Sequence, residues 1–193
     1  MGLSQQIVPV LAAFQRQYPD VRVRYLTGDR LFRLEYGEAH VAIRAGTAPD
    51  QPDNVVQRFV EADVGAFASR AYVEAHGLPK GPEDYANHRF IGPDNPDSRA
   101  PYYLWMQQNV PDAAITFRCT DTYAATEALC SGAGIGFLLM SKVPKALDLV
   151  QVHGPRPEWK VPLWLVTHVD LHRTTKVQAL LSFLKTDAAK AFL

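Results

Sequence analysis

The stretch up to Arg44 changes from the period of a helix to that of a strand and back, and this constrains the fold more than any other part of the chain. Apolar residues recur at helical spacing and form one stripe: Ile7, Val10, Leu11, Phe14 and Tyr18. Because Pro9 lacks a backbone N–H, regular helix cannot begin much before Gln6, and Pro19 ends it. The chain therefore opens with a helix that buries one face.

A strand, a short helix and a second strand follow. Valine and tyrosine alternate with arginine over residues 21–25, which is the pattern of a strand with one buried face. Gly28 interrupts this strand, residues 31–36 have helical spacing, and Gly37 is the residue type that ends helices. Residues 40–44 form a more apolar strand, as expected when both faces are covered. This order predicts an α/β sheet with parallel pairing.

The same stretch resembles a known family. Residues 11–14 read Leu-Ala-Ala-Phe, residues 18–21 read Tyr-Pro-Asp-Val, and residues 37–44 read Gly-Glu-Ala-His-Val-Ala-Ile-Arg. In this order they resemble the effector-binding domain of LysR-type transcriptional regulators, in which the last motif is Gly-Glu-x-Asp-x-Ala-Ile-Arg. His40 departs from the pattern, because it stands where the family usually has Asp.

The resemblance implies a fold and an assembly. The expected fold class is α/β, with two Rossmann-like lobes of the type 2 periplasmic-binding-protein kind joined by two crossover segments. Lobe I would comprise residues 1–66 and 160–193, and lobe II residues 67–159. A homodimer or higher oligomer is also implied, in which the helix over residues 7–18 packs against the second lobe of its partner.

The resemblance also implies parts that this sequence does not show. LysR-type regulators carry an N-terminal winged helix-turn-helix and a long linker helix, and no stretch here reads as either. Their effector domain opens with a strand before the first helix, for which Met1-Gly2-Leu3 is too short. We therefore expect an effector-domain fragment that lacks the first strand of lobe I and would reach DNA only through the missing N-terminal domain.

The remaining elements are predicted from local pattern. The expected strands cover residues 55–59, 63–69, 90–92, 115–119, 149–152 and 161–167, with a glycine turn into a further strand over 132–139. The expected helices cover residues 71–76, 122–130, 141–147 and 174–184, with a weakly helical tail over 185–193. The resemblance implies a further short helix over 82–88. Thr120 or Asp121 would cap the helix that starts at Thr122.

Composition excludes several classes of protein. Lys and Arg number 20 and are balanced by 20 Asp and Glu, so the chain has no electrostatic footprint for nucleic acid or an anionic membrane. Cys119 and Cys130 lack metal-type spacing and are interpreted as reduced, buried thiols. Without an apolar run of transmembrane length or a secretion signal, we expect no membrane partner and a cytoplasmic location.

The glycine turn Gly132-Ala-Gly-Ile-Gly136 could suggest a dinucleotide site. That motif must follow a strand and open a helix, whose first amides hold the pyrophosphate. Here it follows a helix and enters a strand, so we interpret it as a turn that lets helix and strand pack closely. No motif of catalytic or metal-binding spacing is found either, so we expect no enzyme activity, no metal and no cofactor.

The positive prediction is a site for a small, anionic effector between the lobes. Helix starts offer backbone N–H groups to anions, and ligands of open α/β sheets lie at the carboxyl ends of strands. The predicted contacts are Ser4, Gln5 and Gln6 at the first helix, Thr27, Gly28, Asp29 and Arg30 after the first strand, Arg44 and Ala45 after the second, and Thr120, Thr122 and Tyr123 in lobe II. The resemblance implies effector contacts at the same elements.

For some of the predicted site residues, a purely structural role remains an alternative to ligand binding. Helix capping explains Ser4 and Thr122 as well as ligand contact does, and Arg30 could be a solvated surface residue. As a whole, the sequence predicts an effector-sensing domain of a LysR-type regulator that signals to an N-terminal winged helix-turn-helix. The alternative is the solute-binding protein of a transporter, which has the same fold.

Overall fold

The computed structural model describes residues 3–28, 30–143 and 147–188. Its helices are α1 (Ser4–Gln17), α2 (Arg70–His76), α3 (Pro101–Asn109), α4 (Thr122–Cys130), α5 (Val169–His172) and α6 (Thr175–Phe183). Its strands are β1 (Ala42–Ala45), β2 (Asn54–Ala62), β3 (Val64–Ser69), β4 (Phe90–Pro93), β5 (Ile115–Cys119), β6 (Gly136–Leu139), β7 (Leu149–His153) and β8 (Val161–His168). Single 3-10 turns occur at Leu34–Tyr36, Pro82–Asn87, Asp112–Ala114, Met140–Lys142 and Pro157–Trp159, and a π turn at Leu184–Ala188.

These elements form two compact units. The middle unit is Ala62–Val161, and the terminal unit contains the described residues of Leu3–Glu61 and Pro162–Leu193. The limits of these units differ by a few residues from the predicted lobes, 1–66 with 160–193 and 67–159. That division into lobes stays a prediction.

The terminal unit packs helices beside a sheet with the strand order β1-β8-β2. Helix α1 buries the predicted stripe of Ile7, Val10, Leu11 and Phe14. The ring of Phe14 lies 5.6 Å from that of Phe183 on α6, in an edge-to-face arrangement. The predicted helix at residues 174–184 is thereby confirmed as α6, and its packing against α1 closes this core.

The terminal unit differs from prediction in three places. Residues 21–27 have no strand partner among the described residues, and an extended segment becomes a strand only when its N–H and C=O groups are paired. The helix expected over 31–36 shortens to a turn at 34–36, because Arg33 has an extended backbone with ψ 103° and so lies outside the helical turn. Strand β1 pairs antiparallel with β8 rather than parallel with a neighbour in sequence.

The middle unit is a layered arrangement around β6-β3-β7, which pair antiparallel, and the parallel pair β4-β5. Adjacent residues on β6 serve opposite faces of the sheet, as the period of a strand requires. Leu138 packs with Ala128 and Leu129 of α4, whereas Phe137 packs with Trp105 of α3 and with Trp159. The predicted helix 122–130 and strand 115–119 are confirmed with those limits.

Two predicted helical segments are only partly described. A 3-10 turn at Met140–Lys142 replaces the beginning of the helix expected over 141–147, and residues 144–146 lie outside the described residues. The expected tail helix over 185–193 begins within the π turn Leu184–Ala188, and the residues after 188 lie outside the described part.

The glycine turn before β6 is confirmed as a close approach of helix and strand. The Ile135 N–H donates to the Arg89 carbonyl at 2.8 Å, and a β carbon on Gly134 would lie 2.5 Å from that same oxygen. A β carbon on Gly136 would lie 2.9 Å from Leu129 of α4. A side chain at Gly134 must therefore displace backbone that is already hydrogen-bonded, and one at Gly136 must displace the side chain of Leu129.

We expect Gly134→Ala to lower the free energy of unfolding by about 1–3 kcal/mol, the usual cost of overpacking. Urea denaturation followed by tryptophan fluorescence measures this change. Gly28→Ala is the matched control, because its added β carbon would meet nothing closer than Phe32 at 3.9 Å, and it should change stability by less than about 0.5 kcal/mol. Equal effects of the two substitutions would contradict the close-approach interpretation.

Candidate functional site

The start of α1 is held by a neighbouring tyrosine rather than by a cap. Leu3 occupies the N-cap position and no side chain caps the helix, so Ser4 is the first helical residue. The hydroxyls of Ser4 and Tyr25 lie 3.1 Å apart, which ties the helix start to the extended segment that ends at Thr27. The capping interpretation of Ser4 is therefore wrong.

The other two predicted residues of the helix start differ in exposure. Gln5 is exposed, whereas Gln6 is 5% exposed and lies on the inward face of α1 beside Ile7. Their contact with a ligand stays a prediction, and Gln5 is the more accessible of the two.

A carboxylate clamp organises the segment after Gly28. The Glu38 carboxylate accepts from the Arg30 guanidinium at 2.8 Å and from the Arg33 backbone N–H at 2.9 Å. These hydrogen bonds, first that of the Arg33 N–H and then that of Arg30, lower the pKa of Glu38. The positive charge of Arg30 is thus balanced by a carboxylate, in a side chain that is 63% exposed.

The remaining predicted residues of this segment have fewer described contacts. Thr27 and Gly28 are exposed, whereas Asp29 lies outside the described residues. Among the four predicted residues from Thr27 to Arg30, Arg30 is therefore the one whose side-chain contacts are best defined.

Arg44 differs from Arg30 in the charge of its partners. It lies in β1 opposite Trp164 of β8, and its guanidinium donates to the Gln51 side-chain oxygen at 2.9 Å. A longer hydrogen bond of 3.4 Å reaches the Phe32 carbonyl. Both acceptors are neutral, so these contacts position the guanidinium without cancelling its charge.

Phe32 brings the two predicted arginines together. The Arg30 guanidinium lies 4.5 Å from the centre of the Phe32 ring, and Arg44 reaches the Phe32 carbonyl. Sequence reasoning missed Phe32 and Gln51, because neither belongs to a motif and each acts through a contact with a residue several positions away. Glu38 was visible as part of the Gly-Glu motif, but its partners were not. Ala45, the last predicted residue here, is exposed at the end of β1.

The predicted residues of the middle unit surround a capped helix start. The Asp121 carboxylate accepts from the backbone N–H groups of Tyr123 and Ala124, at 2.9 Å each. Asp121 is therefore the confirmed N-cap of α4, and the capping interpretation of Thr122, the first helical residue, is wrong. Thr120 and Thr122 are exposed, as is the Tyr123 side chain, so all three are accessible within this unit.

The middle unit also has a surface groove of about 370 Å³ on its α3 side. Its walls include Met106, Val110, Ile115 and Arg118, and it contains none of the predicted contact residues.

The described residues hold no group of three or more His, Cys, Asp or Glu side chains placed to bind a metal ion. Burial raises the pKa of the thiols of Cys119 and Cys130, both of which are free cysteines. In the same described ranges, no helix is both long and apolar enough to cross a membrane.

Comparison with known sequences identifies relatives among transcriptional regulators. The chain is 24% identical over 153 residues to the uncharacterised HTH-type transcriptional regulator YcaN of Escherichia coli K12, covering 79% of this chain and 51% of YcaN. It is 26% identical over 189 residues to the probable HTH-type transcriptional regulator LtrA of Klebsiella pneumoniae, covering 92% of this chain and 60% of LtrA. The chain thus spans about half the length of these relatives.

Comparison with solved structures gives the same fold. The regulatory domain of CrgA, a LysR-type transcriptional regulator from Neisseria meningitidis, aligns with a TM-score of 0.81 at 20% identity, over 100% of this chain and 95% of that domain. The effector domain of AmpR of Pseudomonas aeruginosa aligns with a TM-score of 0.71 at 18% identity, over 97% of this chain and 92% of that domain. The predicted α/β fold class of two periplasmic-binding-protein-like lobes is thereby confirmed.

The family comparison decides between the two functional interpretations made from sequence. The relatives are named as transcriptional regulators, and not as enzymes or as solute-binding proteins of transporters. This supports the regulator interpretation over the transporter interpretation. The model of the LysR substrate binding domain matches residues 2–189. The chain therefore belongs to the LysR substrate-binding domain family, as the effector-binding domain of a LysR-type regulator.

Proposed function

We propose that this domain senses a small anionic metabolite and passes the signal to a winged helix-turn-helix in the complete regulator. The observation that carries the proposal is the family match over residues 2–189, supported by relatives that are HTH-type regulators. Such a regulator would act in the cytoplasm, where it meets both metabolite and DNA. The DNA contact would be made by the whole protein and not by this domain.

The proposed charge of the effector follows from the terminal unit. The start of α1 has no side-chain cap, and a helix start presents backbone N–H groups and a partial positive charge. The Arg44 guanidinium is oriented by neutral oxygens and keeps its full charge. A carboxylate that binds Arg44 does not first have to displace another carboxylate, so this arginine is the better anchor.

The middle unit is proposed to contact a different part of the effector. Asp121 places a carboxylate at the start of α4, which opposes the approach of a second anion there. Thr120, Thr122 and Tyr123 would instead offer hydroxyl groups to neutral polar atoms. We therefore propose that the effector is a carboxylic acid that also carries a polar, uncharged group.

The signal would be a shift in population. A ligand changes the balance between two states only by binding one more tightly than the other. In the complete regulator, we propose that the favoured state alters how the winged helix-turn-helix domains of a homodimer sit on DNA. No new contact between effector and DNA is required.

We expect Arg44→Gln to weaken the binding of an anionic effector by about tenfold or more, since a hydrogen bond to a charged group contributes about 1.5–3 kcal/mol. A thermal-shift screen with benzoate, succinate and glutamate identifies a stabilising anion, and a titration gives its dissociation constant. The same titration is then repeated on each variant.

Arg30→Gln is the matched control, because its guanidinium is already paired with Glu38 and it should weaken binding less. If Arg30→Gln costs more affinity than Arg44→Gln, the assignment of the anchor is wrong. If a neutral amide such as succinamide stabilises the domain as well as succinate does, the proposal of an anionic effector fails.

The proposed homodimer uses the outer face of α1. Val8 on this helix is 46% exposed, although it is a large apolar residue. We expect light scattering to give about twice the 21.5 kDa of one chain, and Val8→Asp to raise the dimer dissociation constant by about tenfold through burial of an unpaired charge. Val169→Asp is the control, because Val169 is 51% exposed in the same unit but lies on α5. A monomeric wild type, or equal weakening by both substitutions, would contradict this assembly.

A further inference from the structure

An aromatic cluster in the middle unit holds the segment between β7 and β8. Trp159, in the turn Pro157–Trp159, is 0% exposed, and its ring packs at right angles to Phe137 and nearly so to Trp105, with centroids 5.1 and 4.9 Å away. The Arg156 guanidinium lies 5.0 Å from the ring centre of Trp105 and 4.9 Å from that of Trp159. Segment 153–160 is therefore held by ring packing and by the Arg156 cation, and at its end Lys160 lies 3.7 Å from the Asp63 carboxylate.

One hydrogen bond joins this segment to the turn Pro82–Asn87. The Tyr85 hydroxyl lies 2.9 Å from Nε2 of His153, the last residue of β7. Tyr85 is 1% exposed, and His153 is the one hydrogen-bond partner that the described residues give its hydroxyl. The hydroxyl hydrogen needs an acceptor, so we assign His153 as the neutral tautomer with its proton on Nδ1.

The surroundings of this pair include an unpartnered donor, a cation and two carboxylates. Trp159 Nε1 is buried and has no hydrogen-bond partner among the described residues. Arg156 adds a positive charge near His153 and is itself paired with Glu158 at a longer 3.7 Å. The other contacts of His153 given by the described residues are Trp105 from α3, Trp159, and Gly65 and Ala66 of β3, none of which carries a charge. The turn Pro82–Asn87 adds Glu83, whose charge acts on Tyr85.

We propose that the Tyr85–His153 pair is an acid-sensitive latch, which holds segment 153–160 while His153 is neutral and loosens it when His153 is protonated. A proton from solvent binds Nε2, which then donates instead of accepting. The Tyr85 hydroxyl hydrogen then loses the one hydrogen-bond acceptor that it has among the described residues, and the imidazolium is also repelled by the positive charge of Arg156. Both effects oppose the packed arrangement.

The sign of the pH dependence follows from the histidine. Burial, and then the charge of Arg156, lower the pKa of His153 below its ordinary value of 6.5. The opened segment therefore binds a proton more readily than the closed one. The contribution of the latch to stability is complete above pH 6.5 and is lost as the pH falls from 6.5 toward the lowered pKa.

Hydrogen exchange measured by mass spectrometry on this chain tests the latch. After correction for intrinsic exchange rates, we expect peptides over residues 149–161 to lose protection between pH 7 and pH 5, by at most about tenfold per pH unit for one proton. His153→Gln should abolish this dependence, because a glutamine amide accepts the Tyr85 hydrogen and does not titrate. His40→Gln, an exposed histidine of the terminal unit, is the matched control and should retain it.

A second variant covers the case in which His153→Gln does not fold. Removing the charge of Arg156 by Arg156→Gln should raise the pKa of His153, observed by NMR titration of its imidazole, and move the loss of protection to higher pH. Protection of residues 149–161 that is the same at pH 7 and pH 5 in the wild type would overturn the proposal. An unmoved transition in Arg156→Gln, or the same loss in a folded His153→Gln variant, would also overturn it.

Discussion

The ladder between β1 and β8 is the interaction on which the rest of the described terminal unit depends. β8 is the middle strand of its sheet, so β1 and β2 are joined only through it. Val166, Leu163 and Leu165 of β8 are at most 1% exposed, which makes this strand the apolar centre of the unit. The register that sets Arg44 opposite Trp164 also fixes where the backbone of a candidate anchor lies.

This dependence explains which parts of the fold could be predicted from the sequence. Helix α4 and strand β5 have the predicted limits. The signals that set these limits, namely the Asp121 cap, the spacing of apolar residues and the adjacent turns, all lie within a few residues of the two elements. The end of the turn at Gly37 was predictable for the same reason, since a left-handed φ of 69° favours glycine. Local chemistry decides these elements, and the sequence shows local chemistry directly.

Strand pairing is decided elsewhere in the chain, and there the sequence misled. Residues 21–25 alternate as a strand does, but alternation shows only which side chains face inward and not whether a partner is present. The partner of β1 comes from residues 163–166, far along the chain, and it runs antiparallel. The helix–strand order of the first 44 residues carries no information about that partner, so the prediction of parallel pairing rested on a neighbour that β1 does not use.

The sequence shows which residue types the candidate site contains, but not which of its charged side chains are paired with an opposite charge. Arg30 and Arg44 have the same side chain and both contact Phe32, yet one is neutralised by Glu38 and the other is held by Gln51. Glu38 is ionised at neutral pH, as glutamates ordinarily are, and its hydrogen bond to Arg30 competes with any ligand for that guanidinium. An effector carboxylate would have to compete with Glu38 for Arg30, whereas the hydrogen-bond acceptors of Arg44 are neutral. The difference comes from contacts with residues 7 to 12 positions away in the chain, and it is the reason why we propose Arg44 rather than Arg30 as the anchor.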